Sequence, residues 1–305
     1  MTKDKLVTLL IYIGFALTFS VLLFPTFTDS LNNIKQTTAI LSYEDGVSGI
    51  DKRIVDIVRD NAFKYNRAIR KEQKNAAFSY RGENETDEIY EKMLSINGST
   101  IMCFLEIPEI NIYLPVVHGT RSDDLKTEVG HMYGTSVPSG GRGTHAVLAA
   151  HTGLQTVDLF TDLVNLKKGS EFYIHVLDEI HVYKVDEINV VLPDEEDPYL
   201  QVEEDEDYVT LYTCTPYGIN DHRLLVRGKR AYPDIPVTSN EDEGGLTSLK
   251  SRKALVRTVA VGAVPVLIIL TGFIRAFRKK DQKTRKEEET EICAQLILEG
   301  PESQQ

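Results

Sequence analysis

The 305-residue sequence contains no tryptophan, only three cysteines, and fewer basic than acidic residues. Its formal net charge of −12 argues against nucleic acid as the main partner, because binding to phosphates requires a basic surface. Cys103, Cys214 and Cys293 are too few and too scattered for a disulfide framework or a zinc site, and we expect no bound metal. The 42% of hydrophobic and 26% of charged residues instead indicate a chain with a folded core.

Uncharged apolar runs long enough to cross a membrane lie near the two ends of the chain. The first, residues 6–24, has nineteen residues and follows Lys3 and Lys5. At ~1.5 Å per residue, a helix of this length spans a hydrocarbon core of ~30 Å. A cleaved secretory signal begins in the same way, but the sequence after Phe24 is not a clear small-residue cleavage site. The pattern therefore favours a signal anchor preceded by a cytoplasmic N-terminus at residues 1–5.

The second apolar run, residues 258–274, has seventeen residues and contains Pro265, which membrane helices tolerate. Seven Lys and Arg residues follow it at positions 275–286, against three in the stretch just before it. By the positive-inside rule, this excess places the tail, residues 275–305, in the cytoplasm. We therefore predict a two-pass membrane protein in which residues 25–257 lie outside the cell.

The first part of this outer region, residues 25–97, is predicted to be a helical segment with one loop. Apolar residues recur at helical spacing from Gly49 to about Lys71, and polar residues fill the other face. A shorter helix is predicted over Asp87–Ile96, with Thr86 as its N-cap. The polar stretch between the two helices has no clear periodicity and is predicted to be a loop.

Residues 98–236 consist of short runs rich in β-branched and aromatic residues, separated by Gly, Pro and Asn. About seven or eight strands with few helices predict a mainly β domain, either a closed barrel or a sandwich. Residues 237–257 are polar and rich in turn formers, which predicts a linker to the second membrane segment. The predicted strands are Ile101–Ile107, Ile110–Val117, Thr144–His151, Glu171–Leu177, His181–Val191, Tyr208–Cys214 and Arg223–Arg230.

Three residues at predicted strand ends have the chemistry of a cysteine-dependent site. Cys214 ends one strand where the chain turns, Arg223 begins the next, and His151 ends another. At such junctions a rigid scaffold presents side chains to an open surface. A guanidinium beside the sulfur favours the thiolate and stabilises charge on an attacked carbonyl oxygen, and an imidazole titrates near neutrality, as acid–base catalysis requires. Taken one at a time, such residues are more often structural.

Residues 211–228 read Leu-Tyr-Thr-Cys-Thr-Pro-Tyr-Gly-Ile-Asn-Asp-His-Arg-Leu-Leu-Val-Arg-Gly. This stretch closely resembles the signature of class C sortases, the pilin-polymerising sortases of Gram-positive bacteria. The resemblance extends to Ala149-Ala-His-Thr-Gly-Leu154 and to shorter motifs between residues 107 and 131, so that it covers residues 98–232. Two membrane segments around an outer domain are also similar to that subfamily, whereas housekeeping sortases typically have only an N-terminal anchor.

The resemblance implies a closed eight-stranded β-barrel and a cysteine transpeptidase that needs no cofactor. Cys214 is then the nucleophile, His151 the general acid and base, and Arg223 the group that positions the substrate and its oxyanion. The implied substrate is an LPXTG-like sorting signal of a pilin subunit, cleaved between Thr and Gly. The thioacyl-enzyme then passes the pilin to a lysine amine of the next pilin. Thr213, Leu154 and His222 are predicted to contact the substrate.

Class C sortases often carry an Asp-Pro-aromatic lid ahead of the barrel, and this sequence departs from that pattern. The corresponding loop here reads Lys74-Asn-Ala-Ala-Phe78-Ser, without Asp-Pro. Phe78 is the candidate for a remnant of the lid, and we expect a site without an effective lid.

Other functions stay open on the sequence alone. They are a membrane-anchored cysteine endopeptidase that hydrolyses its acyl-enzyme, a housekeeping-type sortase that attaches proteins to peptidoglycan, and a scaffold that binds pilins without chemistry. Between Asp194 and Asp207, nine of fourteen residues are acidic, which favours a loop that faces solvent or a pilin. Cys103 alternates with Ile101 and Leu105 in a predicted strand and is predicted to be a core residue.

Overall fold

The computed structural model describes residues 3–75, 86–122, 124–153, 159–232 and 235–236, together with six isolated helical positions between residues 271 and 290. It divides into two compact units. One unit comprises residues 1–27 and 253–305, and the other comprises residues 28–252.

In the first unit, every described residue is helical. Large apolar side chains between Leu6 and Phe27 are exposed, among them Leu10, Phe15 and Val21. Within the described ranges, no helix combines the length and the apolar character that crossing a bilayer requires. Apart from the isolated helical positions, the predicted second membrane segment and the tail lie outside the described residues.

Two α-helices precede the strands: α1 spans Lys3–Ser48 and α2 spans Lys52–Asn75. The start of α2 is capped by Asp51, whose carboxylate accepts a hydrogen bond of 2.9 Å from the backbone N–H of Arg53. Apolar residues of α2 are buried at helical spacing, namely Val55, Ala62 and Ile69. This helix confirms the prediction made from the apolar spacing between residues 49 and 71.

The predicted helix over Asp87–Ile96 is wrong, because the structure has only one 3-10 turn there, at Tyr90–Lys92. Thr86 is not its N-cap, because the N-cap position is Ile89, and the carboxylate that contacts the backbone just ahead of the turn belongs to Asp87. The Asp87 carboxylate accepts hydrogen bonds of 2.8 Å from the backbone N–H groups of Ile89 and Tyr90. The chain cannot continue as a helix beyond this turn, since Leu94 adopts a positive φ of 57°.

Eight strands form a closed barrel in the order β5-β1-β2-β3-β4-β7-β8-β6, and pairing of β6 with β5 closes it. This barrel confirms the eight-stranded architecture implied by the family resemblance. A ninth strand of two residues pairs with β6 outside the ring. The strands are β1 Ile101–Ile107, β2 Ile112–His118, β3 Val129–His131, β4 Thr144–Ala149, β5 Glu171–Val176, β6 Glu179–Val191, β7 Asp207–Thr215, β8 His222–Arg230 and β9 Ile235–Pro236.

Within the ring of the barrel, the strand that the sequence did not predict is β3, which has only three residues. It pairs in parallel with β2 and antiparallel with β4, and so completes the ring between them. Three residues are too few to show the alternation by which strands are recognised. The pairing of β4 with β7 is also parallel, and it determines the geometry of the candidate site.

Both helices are attached to the barrel by buried hydrogen bonds. The Tyr43 hydroxyl of α1 donates to the carbonyl of Met102 and accepts from the N–H of Leu177, both at 3.0 Å. On α2, the buried side chain of Asn66 donates to the carbonyl of Val137 at 3.0 Å and accepts from its N–H at 2.7 Å. The helical segment of residues 28–75 is therefore part of the same folded unit as the barrel.

Candidate active site

Cys214 and Arg223 lie directly opposite each other in the β7–β8 hairpin. The antiparallel register pairs Cys214 with Arg223, and it pairs Thr215 with His222 at the open end of the hairpin. Residues directly opposite in such a pair have Cβ atoms ~5 Å apart and project from the same face of the sheet. Cys214 and Arg223 are both partly exposed, so their functional groups are accessible from the rim of the barrel.

His151 lies at the matching position on the other side of β7. The parallel register places Ala149 of β4 beside Tyr212 of β7. The two chains remain paired beyond β4, because the N–H of Ala150 donates to the carbonyl of Tyr212 at 3.1 Å. Two residues beyond the Ala149–Tyr212 pair, the two strands reach His151 and Cys214. The structure therefore brings Cys214, His151 and Arg223 together at one end of the adjacent strands β4, β7 and β8.

The backbone of His151 is fixed while its ring stays available. Its carbonyl accepts a hydrogen bond of 3.1 Å from the N–H of Phe160, which is completely buried. Its partly exposed imidazole makes no hydrogen bond with any other residue that the structure describes. A ring without a fixed partner can accept a proton from one group and donate it to another.

Tyr212 shares the face of the sheet that carries Cys214, since the two residues are two positions apart on β7. Its hydroxyl accepts a hydrogen bond of 2.9 Å from Nε of Arg223 and donates one of 2.8 Å to the Glu196 carboxylate. Nη1 of Arg223 also donates to the carbonyls of Asn220 and His222, at 3.3 and 3.2 Å. These contacts hold the guanidinium at the mouth of the hairpin.

Glu196 is only 4% exposed, although it belongs to the acidic stretch between residues 194 and 207. Burial raises the pKa of its carboxyl, and the hydrogen bond from Tyr212 and the charge of Arg223 act in the opposite direction. The prediction that the acidic stretch forms a solvated loop is therefore wrong for Glu196. It is also wrong for Asp207, which is 3% exposed and accepts a hydrogen bond from the Tyr183 hydroxyl.

The predicted substrate contacts lie in different surroundings. Thr213 is buried, and its hydroxyl donates to the carbonyl of Ala150 at 2.7 Å, which ties β7 to the chain that carries His151. His222 is partly exposed and contacts the Asp221 carboxylate, but it projects from the opposite face to Cys214 because it pairs with Thr215. Leu154 and Phe78 lie outside the described residues.

Cys103 is completely buried among apolar side chains of the core, as the sequence predicted. Burial raises the pKa of its thiol, so that it remains protonated. Cys103 and Cys214 are both free thiols. Over the described part of the chain, no group of three or more His, Cys, Asp or Glu side chains is arranged to hold a metal ion.

Sequence reasoning missed Tyr212 and Glu196. Tyr212 was visible as a residue on the same face as Cys214, two positions before it. Its contact with Arg223 follows only from the register of β7 and β8, since the two are diagonal neighbours across the hairpin. Glu196 is sixteen residues from Tyr212 in the chain, and no local pattern connects them.

Comparisons with known proteins agree with this geometry. The family model described as the sortase domain matches residues 105–231. No curated protein matches the chain. Among solved structures, Streptococcus agalactiae sortase C1 is 40% identical with a TM-score of 0.59, over 65% of this chain and all of the other. Streptococcus pneumoniae sortase C, studied for catalysis and pilin substrate specificity, is 38% identical with a TM-score of 0.58. The match covers 65% of this chain and 98% of that sortase. A lid mutant of Corynebacterium diphtheriae sortase A is 36% identical, with a TM-score of 0.55. The match covers 60% of this chain and 97% of that sortase.

Proposed function

Because the chain belongs to the sortase family, in class C, and is therefore a cysteine transpeptidase, we propose that it joins pilin subunits to one another. Its substrate is an LPXTG-like sorting signal near the C-terminus of a pilin, and its acceptor is a lysine ε-amine of the next pilin. The similarity to a sortase C studied for its pilin substrate specificity supports this choice of substrate.

One observation carries the proposed chemistry: Cys214 stands directly opposite Arg223 in one hairpin and level with His151 across a parallel strand pair. A nucleophile, a cation and a proton carrier thus surround one point at the barrel rim. When the scissile amide of a peptide lies at that point, its carbonyl carbon contacts the sulfur. Its carbonyl oxygen then faces the guanidinium, and its amide nitrogen faces the imidazole. This is the arrangement that acyl transfer requires.

In the first half-reaction, the Cys214 thiolate attacks the carbonyl carbon between Thr and Gly of the sorting signal. Arg223 stabilises the negative charge that develops on the carbonyl oxygen. His151, in its protonated form, transfers a proton to the glycine nitrogen, the C–N bond breaks, and the peptide that begins with glycine leaves. The products are a thioester between the pilin and Cys214, and a neutral imidazole.

In the second half-reaction, the lysine ε-amine of another pilin attacks the thioester carbon. Neutral His151 accepts the proton that the amine loses, the C–S bond breaks, and the Cys214 thiolate is restored. The new bond is an amide between the threonine carboxyl and the lysine side chain. No cofactor is consumed, because the thioester keeps the acyl group activated between the two steps.

We also propose that the barrel acts outside the cell, next to the membrane. The uncharged runs at residues 6–24 and 258–274, and the seven basic residues after the second run, support a two-pass arrangement. Protease treatment of intact spheroplasts tests it. Cleavage within residues 25–257 without cleavage of the tail is expected, and the reverse pattern contradicts the proposed orientation.

Incubation of the full-length chain in detergent with a pilin and an LPXTG peptide tests the proposed activity. We expect a peptide joined to a pilin lysine, detected by mass spectrometry of the digest, and no product with Cys214→Ala. A free threonine carboxyl formed at the same rate with and without an amine acceptor contradicts transpeptidation and favours an endopeptidase. Joining of the peptide to a peptidoglycan precursor in preference to pilin favours the housekeeping function.

A further inference from the structure

The Tyr212 hydroxyl has both of its strong hydrogen-bonding roles occupied, and each of its partners is charged. It donates to the buried Glu196 carboxylate at 2.8 Å and accepts from Nε of Arg223 at 2.9 Å. Hydrogen bonds to ionised groups are about twice as strong as those between neutral groups. The three side chains therefore form a fixed line that begins in the protein interior and ends beside Cys214.

The same hairpin contains a second tyrosine–arginine pair, Tyr208 and Arg227, with which the Tyr212–Arg223 pair can be compared. Tyr208 and Arg227 stand in the same diagonal relation as Tyr212 and Arg223, because Arg227 is opposite Thr210, two residues after Tyr208. There, however, the guanidinium carbon lies 4.2 Å from the centre of the tyrosine ring. Its nitrogens contact the carboxylates directly, with Asp186 and Glu187 both at 2.7 Å.

The charges of the two arginines therefore have different environments. Direct contact with carboxylates largely neutralises Arg227. Among the residues that the structure describes, no carboxylate lies within ion-pair distance of Arg223, and Nη2 of that side chain has no hydrogen-bond partner. The nearest carboxylate contact is made through the Tyr212 hydroxyl. A guanidinium without a direct counterion can interact more strongly with a developing oxyanion, because no resident anion competes for it.

We infer that Tyr212 and Glu196 are positioning residues that aim the Arg223 guanidinium at the carbonyl oxygen of the substrate and leave its charge available. Tyr212 supplies the hydrogen bond to Nε, and Glu196 fixes the direction of the tyrosine hydroxyl. Nη2 of Arg223 is then free to donate a hydrogen bond to the oxyanion of the substrate. This inference rests on the proposed function, since it assigns the two residues to the acylation of Cys214.

The single-turnover rate of Cys214 acylation by an LPXTG peptide measures this role. The full-length chain is used, and the thioester is quantified by mass spectrometry. Tyr212→Phe removes both hydrogen bonds and keeps the ring, so the acylation rate should fall about 10- to 100-fold, as for a misplaced catalytic group or a weakened oxyanion donor. Tyr208→Phe is the matched control and should change the rate by less than about twofold, because among the described residues its hydroxyl makes only one weak contact, at 3.4 Å to Glu203.

A double-mutant cycle separates positioning from a structural role. If Tyr212 acts through Arg223, Tyr212→Phe should change the acylation rate by less than about twofold when Arg223 is already alanine. The thermal midpoint should stay close to that of the wild type, and the rate of Cys214 alkylation by iodoacetamide should fall much less than the acylation rate. An additive loss in the cycle, or equal losses of acylation and alkylation, would show that Tyr212 supports the fold and would overturn the inference.

The remaining outcomes also decide the question. Equal acylation rates for Tyr212→Phe and Tyr208→Phe overturn the positioning role while the proposed function stands. Absence of a Cys214 thioester in the wild-type chain overturns the proposed function, and the positioning role with it. If Tyr212→Phe does not fold, Glu196→Gln takes its place in the same cycle, and a loss of rate that disappears in the Arg223→Ala background supports the inference.

Discussion

At the scale of the residue, exposure separates the two cysteines of the barrel. Cys214 is partly exposed at the end of β7, opposite an arginine, whereas Cys103 is completely buried in β1. The thiolate is the reactive form of cysteine, and a reagent must be able to reach it. Burial raises the pKa of the Cys103 thiol and also keeps reagents away from it.

Alkylation should therefore distinguish these two thiols. With iodoacetamide at neutral pH and the chain folded, we expect labelling of Cys214 and none of Cys103. Peptide mapping by mass spectrometry measures both positions at once, and unfolding in denaturant provides the control in which both are labelled. Labelling of Cys103 in the folded chain at a rate similar to that of Cys214 would contradict its burial.

The roles proposed for His151 and Arg223 predict large losses of rate. His151→Ala removes the proton carrier and Arg223→Ala removes the stabilising cation, so each should lower the turnover of an LPXTG peptide at least about a hundredfold. His175→Ala is the control, because His175 lies on β5, where it contacts the Glu106 carboxylate. A near-normal rate for Arg223→Ala would remove Arg223 from the site.

At the scale of the element, α2 is attached to the barrel through Asn66. Its side chain satisfies both backbone groups of Val137 and also donates to the Ser139 hydroxyl at 3.0 Å. Asn66→Ala leaves the buried N–H of Val137 without its partner, whereas the Val137 carbonyl still accepts from the N–H of Ser139 at 2.7 Å, so we expect a loss of about 1–3 kcal/mol in the free energy of unfolding. Asn61→Ala, at an exposed position of the same helix, should change it by less than about 0.5 kcal/mol. Equal effects of the two substitutions in denaturant titrations would show that α2 does not pack on the barrel as described.

How far each element could be predicted depended on its length and on whether its contacts are local. The apolar spacing of residues 49–71 extends over several turns and correctly predicted α2. Three-residue β3 is too short for any pattern, and the turn after Asp87 has the composition of a helix but ends at the positive φ of Leu94.

In the candidate site too, only the contacts between residues that are close in the sequence could be predicted. The strand ends predicted that Cys214 and Arg223 lie close together, because a hairpin joins them. The contact of Glu196 with Tyr212 depends on how a distant loop packs, and no local sequence pattern contains that information.

At the scale of the whole molecule, two completely buried histidines link folding to pH. Burial lowers the pKa of His131 to about 3 and that of His145 to about 4, although each ring has a backbone carbonyl as a partner. His145 must donate from Nδ1 to the carbonyl of Gln201 at 2.8 Å, so its Nε2 accepts from the Thr210 hydroxyl at 2.7 Å. Both rings are therefore neutral in the folded chain at neutral pH.

Stability should consequently fall as the solution is acidified. In the unfolded chain these histidines take up a proton near pH 6.5, whereas in the folded chain they do so only near pH 3–4. The unfolded state binds more protons between these values, so folding loses about 2 kcal/mol per histidine by pH 5. His145→Gln should be less sensitive to pH between 6.5 and 5 than the wild type in thermal unfolding followed by tyrosine circular dichroism. An identical dependence on pH in the two proteins would contradict the burial of a neutral His145.

In the proposed mechanism, the sulfur of Cys214 carries the acyl group of the substrate between the two half-reactions. Intact-mass spectrometry of the full-length chain, quenched in acid shortly after mixing with an LPXTG peptide, tests it most directly. We expect a mass increase equal to the peptide up to its threonine, located on Cys214, released by hydroxylamine and absent in Cys214→Ala. Cleavage of the peptide with no adduct on Cys214, or an adduct that persists in Cys214→Ala, would contradict it.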